Sequence, residues 1–587
     1  MKKLNFLQVF RKSLALASKY IRKYLFLSIL FLGLQTIMYA LTPVCNNLLF
    51  DSVESVIKHQ NWTAALFPLL LLGGAVTLEQ LFNRAFSRYI NIAFMKGEHA
   101  MQIPLNEVCG RMEPVEFEDP DTLDKIGKAV SGASKSTDFV ISLLFILGDI
   151  PHTIILGIYF YTLRPVLAWS ILLVFIPIML SQILKITLFK ELEDEVAPIR
   201  RENDYYDRCI SHRDYFKETR LLGGYFYFAK KFKASLKAFC KASGKKEVRS
   251  GIYELLSHVL TLCGYIGVLF LLFDSMMNGY ISIGSFAAAF ASVGSLVDTL
   301  DMIITYDVGD ALKSYGAVRN YIEFLSRDET QKPSSSIPNR GDIRLEDVHF
   351  TYPGAAQETI KGITFTIHPG ETLAVVGENG AGKSTLMRLI TGQYPATSGT
   401  VTADGQDLSK MDMPSRFANV SAVFQKFGRY KITAAENITL STGEFHKSAI
   451  LRCASDADVQ LDDGQTFPQG MDTMLSREFG GVDLSGGQWQ RVAVARGLYR
   501  DHALIILDEP TAAIDPIEET KLYKRFSDIS RDKTAIIVTH RLGSARIADR
   551  ILVLRDGQID DVGTHEELIS KGGYYAKLYE SQAEWYA

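Results

Sequence analysis

Gly377-Glu378-Asn379-Gly380-Ala381-Gly382-Lys383-Ser384 fits G-x-x-x-x-G-K-[ST] at every fixed position, and its neighbours decide how it is read. The apolar run Thr372-Leu373-Ala374-Val375-Val376 before it reads as a buried strand, and Ser384-Thr385-Leu386-Met387-Arg388-Leu389-Ile390 after it reads as a helix. A strand, a glycine-rich loop and a helix in that order make an anion cradle. Glycines let successive backbone N–H groups turn inward, while the first helical turn offers unpaired donors and the positive end of its dipole. Gly377, Asn379, Gly380, Ala381, Gly382, Lys383, Ser384 and Thr385 are therefore candidate phosphate-binding residues. Lys383 is suited to bridge β- and γ-phosphates, and the Ser384 hydroxyl to complete an octahedral Mg²⁺.

Further along, Ala503-Leu504-Ile505-Ile506-Leu507-Asp508-Glu509 reads as a buried parallel strand ending in two carboxylates, and Leu484-Ser485-Gly486-Gly487-Gln488 spells LSGGQ. With these motifs in place, residues 341–587 resemble the nucleotide-binding domain of an ATP-binding cassette (ABC) transporter, LSGGQ being the pentapeptide that separates this family from other P-loop ATPases. The resemblance implies ATP and Mg²⁺ as cofactors. It implies that Asp508 holds the metal through its hydration shell, that Glu509 polarises the attacking water, and that Tyr352 stacks on adenine. Gln425 takes the position near metal and water, and His540 the contact to the γ-phosphate. Glu509, His540 and Gln425 are the catalytic candidates; Ser384, Gln425 and Asp508 are the metal candidates. Ser485, Gly486 and Gly487 face, in the family, the γ-phosphate held by a partner cassette, and Gln488 and Asp515, the latter in a segment that contacts across the pair, complete the nucleotide-binding candidates. The segment Ala512-Ala513-Ile514-Asp515 replaces the usual Ser-Ala-Leu-Asp, which removes a serine contact, and Lys426 stands where many relatives carry Asp.

The chain has 587 residues, too long for one ordinary core. Its net charge of -3, from 63 Lys plus Arg against 66 Asp plus Glu, gives no sign of a nucleic-acid partner. Six cysteines (Cys45, Cys109, Cys209, Cys240, Cys263, Cys453) show no zinc-ligand spacing and read as single thiols. The apolar content is uneven: the first half is far richer than the second, which points to membrane helices.

Lys2, Lys3, Arg11, Lys12, Lys19, Arg22 and Lys23 precede any acidic residue and are interleaved with Phe6, Leu7, Val9, Phe10, Leu14 and Leu16, which predicts an interfacial helix rather than a cleaved leader. Apolar spans follow near 24–46, 62–83, 137–162, 166–188, 252–274 and 281–302. The connections after spans two and four are long and rich in Lys and Arg, so they and the N-terminus belong inside. The expected protein is integral to a bacterial-type plasma membrane, with its ATP site cytoplasmic.

Glu116-Phe117-Glu118-Asp119-Pro120 to Ile126, in the first long connection, and Phe216 to Gly223, in the second, resemble the intracellular coupling segments of ABC exporters. The Pro- and Ser-rich stretch 327–340 reads as a linker. The predicted fold is thus an all-α membrane domain of six helices over 1–326, followed by an α/β P-loop domain over 341–587. One cassette per chain makes a half-transporter, pairing with a second copy or a related half-transporter. The resemblance implies ATP-driven export of an amphipathic peptide, drug-like molecule or lipid by alternating access. Uptake on the same fold and a nucleotide-gated membrane regulator are the alternatives. Glu79, Asp149, His152, Glu254, His258, Asp298 and Asp301 lie in or beside apolar spans, where a charge needs a partner or a wet cavity. Two acidic patches, one around Asp149 and one around Asp298, favour a net cationic substrate.

Overall fold

The computed structural model describes residues 4–59, 62–327, 342–441, 443–509 and 533–584. They fall into two compact units, one holding the chain up to Gly110 and from Lys125 to Arg327, the other holding Arg111–Asp124 together with the cassette. Of the predicted linker at 327–340 only Arg327 is described; its residues 328–340 and the segment carrying Asp515 lie outside the described residues.

The first unit is helical: α1 (Phe6–His59), α2 (Leu66–Ala100), α3 (Gln102–Arg111), α4 (Pro120–Leu163), α5 (Pro165–Val174), α6 (Ile176–Ser211), α7 (Phe216–Leu221), α8 (Tyr225–Met277), α9 (Ile283–Met302) and α10 (Gly309–Leu325). Six stretches within them are long and apolar enough to cross a membrane. Several overshoot the roughly 20 residues a hydrocarbon core needs; α1 has 54 residues and α8 has 53. Leu70, Trp169 and Phe270 are about two-thirds exposed on the unit's outside. In water so large an apolar surface would drive aggregation, and in a bilayer it meets lipid. Inside, Leu156, Phe160, Ile171, Val268, Leu272 and Val293 form an apolar cluster shared by α4, α5, α8 and α9.

The basic N-terminal segment is helical and runs into the first span through a break at Ile21, whose φ of -125° and ψ of 21° leave the helical region. Val9, Ser13, Ala17, Ile21 and Leu25, at helical spacing, are all buried. Beside that stripe Phe6, itself 40% exposed, meets the rings of Phe139 on α4 and Tyr315 on α10 at 5.7 and 5.3 Å. Arg11, Lys12, Lys19, Arg22 and Lys23 are exposed on the other faces.

In the second unit, β1 (Ile343–Phe350), β2 (Ile360–Ile367), β4 (Ser398–Ala403) and β5 (Gln406–Asp407) form an antiparallel sheet in the order β2-β1-β4-β5. A second sheet takes β3 (Thr372–Val376), β6 (Val420–Val423), β7 (Leu504–Asp508), β8 (Thr534–Val538), β9 (Arg550–Arg555) and β10 (Gln558–Gly563) in the order β10-β9-β3-β8-β7-β6. From β9 to β6 its pairs are parallel. Every residue of β7 and β8 is buried, as continuous apolar runs covered on both faces require. The carboxyl ends of β3, β8, β7 and β6 therefore line up along one edge, the edge where α/β folds place their ligands.

Candidate functional site

All four edge strands deliver a predicted residue. The loop after β3 enters α11 (Lys383–Thr391), β8 leads to His540, β7 ends at Asp508 and Glu509, and β6 leads to Gln425. Gly377 has φ 155° and Gly382 has φ 101°, and a Cβ on Gly377 would sit 2.2 Å from the Leu554 carbonyl oxygen. Only glycine lets the loop pass so close to β9 while turning its amides inward. Lys383 folds back across the loop, its Nζ donating to the carbonyls of Gly377 (2.8 Å) and Glu378 (2.9 Å). The ammonium is thus held in the mouth of the cradle. Burial pulls the Lys383 pKa down, and the charges of Glu509 and Asp508 oppose that pull.

Ser384 Oγ lies 3.4 Å from Asp508 Oδ1, so hydroxyl and carboxylate oxygens face one point at the start of α11. Burial raises the Asp508 pKa, against the hydrogen bond from Ser384. Two hard oxygen donors with a buried negative charge between them suit Mg²⁺. Beside them Gln425 Nε2 donates to Glu509 Oε2 at 2.6 Å, and His540 Nδ1 stands 3.6 Å from the same oxygen. Glu509 itself has φ 48°, a left-handed backbone costing a non-glycine residue about 1–3 kcal/mol. Its amide donates to the Val538 carbonyl at 3.0 Å, which holds the turn. Three chain-distant residues thereby meet at one carboxylate, whose other oxygen carries no bond from Gln425 or His540.

Tyr352 is half-buried near the opening of α11, its hydroxyl 2.9 Å from Thr385 Oγ1. The LSGGQ segment opens helix Gly486–Tyr499 through a reciprocal cap: Ser485 Oγ accepts from the Gln488 amide, and Gln488 Oε1 accepts from the Ser485 amide at 2.8 Å. Gln488 is thereby fixed as the residue that holds the turn. Ser485 and Gly486 remain exposed at the helix start, with the Ser485 proton free to donate.

The membrane residues divide. Glu254 pairs with Lys185, Asp301 accepts from Thr305 at 3.0 Å, and Asp298 and His258 are exposed. His152 is buried and stacks on Tyr39 at 4.8 Å, and Tyr39 lies within electrostatic reach of Glu79 and Asp149. The two Asp-centred patches are therefore unequal. Sequence reading missed Gln35 and Asp307, which with Asp149 have a buried oxygen without a hydrogen-bond partner. Asp307 sits in a single π-turn, Ile303–Val308, and no sequence pattern announces that turn.

The ABC transporter family model matches residues 360–512. Over 483 residues, 80% of this chain and 77% of the relative, the sequence is 31% identical to the subtilin transport ATP-binding protein SpaT of Bacillus subtilis. It is 31% identical to the nisin transport ATP-binding protein NisT of Lactococcus lactis, over 66% of this chain and 65% of that relative. It is also 32% identical to an ATP-dependent lipid A-core flippase of Photobacterium profundum, over 54% of each chain. A solved bacterial Atm1-family ABC exporter with ATP bound superposes with a TM-score of 0.77 over 96% of this chain and 98% of its own, at 21% identity, a likeness of fold. With its glycine cradle, paired carboxylates and six apolar stretches, this chain belongs to the ABC transporter family, as a half-transporter of the exporter fold whose cassette is a transporter ATPase.

Proposed function

We propose that two copies of this chain form an exporter in which each ATP lies between the glycine cradle of one copy and the Ser485–Gln488 helix start of the other. The observation that carries this reading is the convergence of Gln425, Glu509 and His540 beside the cradle, with Ser485 and Gly486 exposed at a separate helix start. One sequence holds both halves of a site, so a two-fold pair has two equivalent sites. Ser384, Asp508 and Gln425 hold Mg²⁺, Lys383 and Thr385 bind phosphates, Tyr352 carries adenine, and Asp515 completes the contact across the pair. Held by these residues, Mg²⁺ would supply positive charge to the phosphates. Glu509 orients water, and His540 contacts the γ-phosphate. Closure of the pair around ATP and its release after hydrolysis supply the two states that alternating access needs.

The domains we assign are 1–326 for the membrane, 327–340 for the linker and 341–587 for the cassette, with N-terminus and cassette cytoplasmic by the excess of Lys and Arg in the long connections. α6 and α8 pack along one another as a hairpin, and at its tip Leu221, Leu222 and Phe226 are 77–86% exposed. That apolar tip suits the cassette of a partner copy, with spans four and five crossing over.

Relatives are named for subtilin transport, nisin transport and lipid A-core flipping. For this chain we favour a net cationic amphipathic peptide or drug-like molecule. The buried unpartnered carboxylate oxygens of Asp149 and Asp307 accept hydrogen bonds and favour a cation over an anionic head group. The shared site is tested by crosslinking Ser485→Cys to a cysteine placed in the glycine loop. A crosslink joining two chains supports the proposal, and one confined within single chains refutes it.

A further inference from the structure

Residues 111–124 group with the cassette, and their contacts there lead to the tyrosine assigned to adenine. Glu113, which accepts the reciprocal cap of Pro114–Glu118, pairs with Arg416, a side chain only 1% exposed. Val115 packs on the apolar cluster of the antiparallel sheet. These two contacts fix the short helix, and Glu118 at its end starts a directed chain of hydrogen bonds. The Tyr394 hydroxyl donates to Glu118 Oε1 at 2.5 Å and accepts from Arg388 Nη1 at 2.9 Å. The same Nη1 donates to the Tyr352 hydroxyl at 3.1 Å and lies 3.5 Å from Glu118 Oε1. Beyond it, the Tyr352 hydroxyl meets Thr385 Oγ1. Phe350 holds both tyrosines by ring contacts, to Tyr352 at 5.0 Å and to Tyr394 at 5.4 Å. Burial and the Glu118 contact push the Tyr394 pKa up, so its proton stays in place to donate.

We infer that Arg388 and Tyr394 are positioning residues through which Glu118 of the first intracellular segment sets the Tyr352 ring, tying the affinity for ATP to the docking of that segment. The inference rests on the adenine-stacking role assigned to Tyr352 above. Without Glu118, Arg388 loses its counter-charge and Tyr394 its acceptor, and the Tyr352 hydroxyl loses its anchored donor. By thermodynamic reciprocity, nucleotide that orders Tyr352 also favours the docked segment. The effect acts first on the base side of the nucleotide and reaches the phosphate cradle only secondarily, through the Tyr352–Thr385 contact.

The test uses the full-length protein in lipid nanodiscs, reading KM and kcat for ATP and the inhibition constant of Mg²⁺-tripolyphosphate, which has phosphates and no base. Glu118→Gln, Arg388→Gln, Tyr394→Phe and Tyr352→Phe each raise KM for ATP by about threefold to tenfold, the effect of losing one charge-assisted or neutral hydrogen bond. Expected alongside, in Glu118→Gln and Tyr394→Phe, are a kcat within twofold and a tripolyphosphate constant that shifts less than KM for ATP. The double variant Glu118→Gln, Tyr352→Phe shifts KM no further than its worse single parent, because both break one chain. Additive shifts, an unchanged KM in Glu118→Gln, or an equal loss of tripolyphosphate binding would overturn the inference. Tyr352→Ala separates the two levels. If it leaves KM for ATP unchanged, the stacking assignment itself fails; if it raises KM while Glu118→Gln does not, only the relay fails. Should Arg388→Gln lower the melting temperature, the isosteric pair of Glu118→Gln and Tyr352→Phe decides the question.

Discussion

In the proposed mechanism Lys383 and Glu509 do different work on one nucleotide, and their variants should separate binding from chemistry. Removing the ammonium at the cradle mouth in Lys383→Ala deletes a charge-assisted phosphate contact, so nucleotide affinity should fall at least tenfold in a fluorescent-ATP titration. Glu509→Gln keeps the hydrogen-bonding shape and loses the base, so ATP stays bound while turnover falls by a factor of roughly 10² or more. Near wild-type turnover would remove Glu509 from the mechanism. Asp508 gives a pH signature. Its folded-state pKa lies above the unfolded value near 3.9, so the ionised, buried carboxylate lowers stability as pH rises through that window. Asp508→Asn should therefore raise the melting temperature of the nucleotide-free protein at pH 7 and lose that advantage below pH 4, while weakening stabilisation by Mg²⁺-ATP. At this scale the motif residues were legible because their spacing is itself the chemistry: glycines where φ is positive, hydroxyl and lysine at the helix start. Arg388 and Tyr394 were not legible because they work through Glu118 and Tyr352, distant in the chain, and Asp307 was not because its π-turn has no sequence signature.

Among the elements, the glycine loop is the least tolerant. Gly377→Ala would place a methyl against the Leu554 carbonyl at 2.2 Å, which no side-chain movement relieves. It should destabilise the cassette by about 1–3 kcal/mol, read as a lower melting temperature, and abolish nucleotide binding. A melting temperature within a degree of wild type would contradict the close approach to β9. The membrane stretches could be read from apolar runs, since a bilayer imposes a length on any helix that crosses it. Two features escaped that reading. The basic N-terminal segment carries charge and apolar residues that suit a membrane surface, and it also has a buried stripe and a Phe6 ring beside Phe139 and Tyr315, contacts that only the folded bundle supplies. Residues 111–124 belong by sequence to a helical connection and by contact to the cassette, because Glu113 and Glu118 find Arg416, Arg388 and Tyr394 there.

As a whole molecule, the chain carries an apolar helical unit and an ATPase, so that hydrolysis can move a solute. The cationic-substrate reading makes Asp149→Asn and Asp307→Asn lose at least half of substrate-stimulated ATPase while basal ATPase stays within twofold; full stimulation in both, or an anionic substrate, would end it. The central claim, ATP-driven export, is tested most directly in inverted membrane vesicles, where the cassette faces the added ATP. With a cationic amphipathic peptide outside, wild-type vesicles should accumulate it inside against its gradient when Mg²⁺-ATP is present, and Glu509→Gln vesicles should not. Equal accumulation by wild type and Glu509→Gln, or ATP-dependent loss of peptide from preloaded vesicles, would contradict the account.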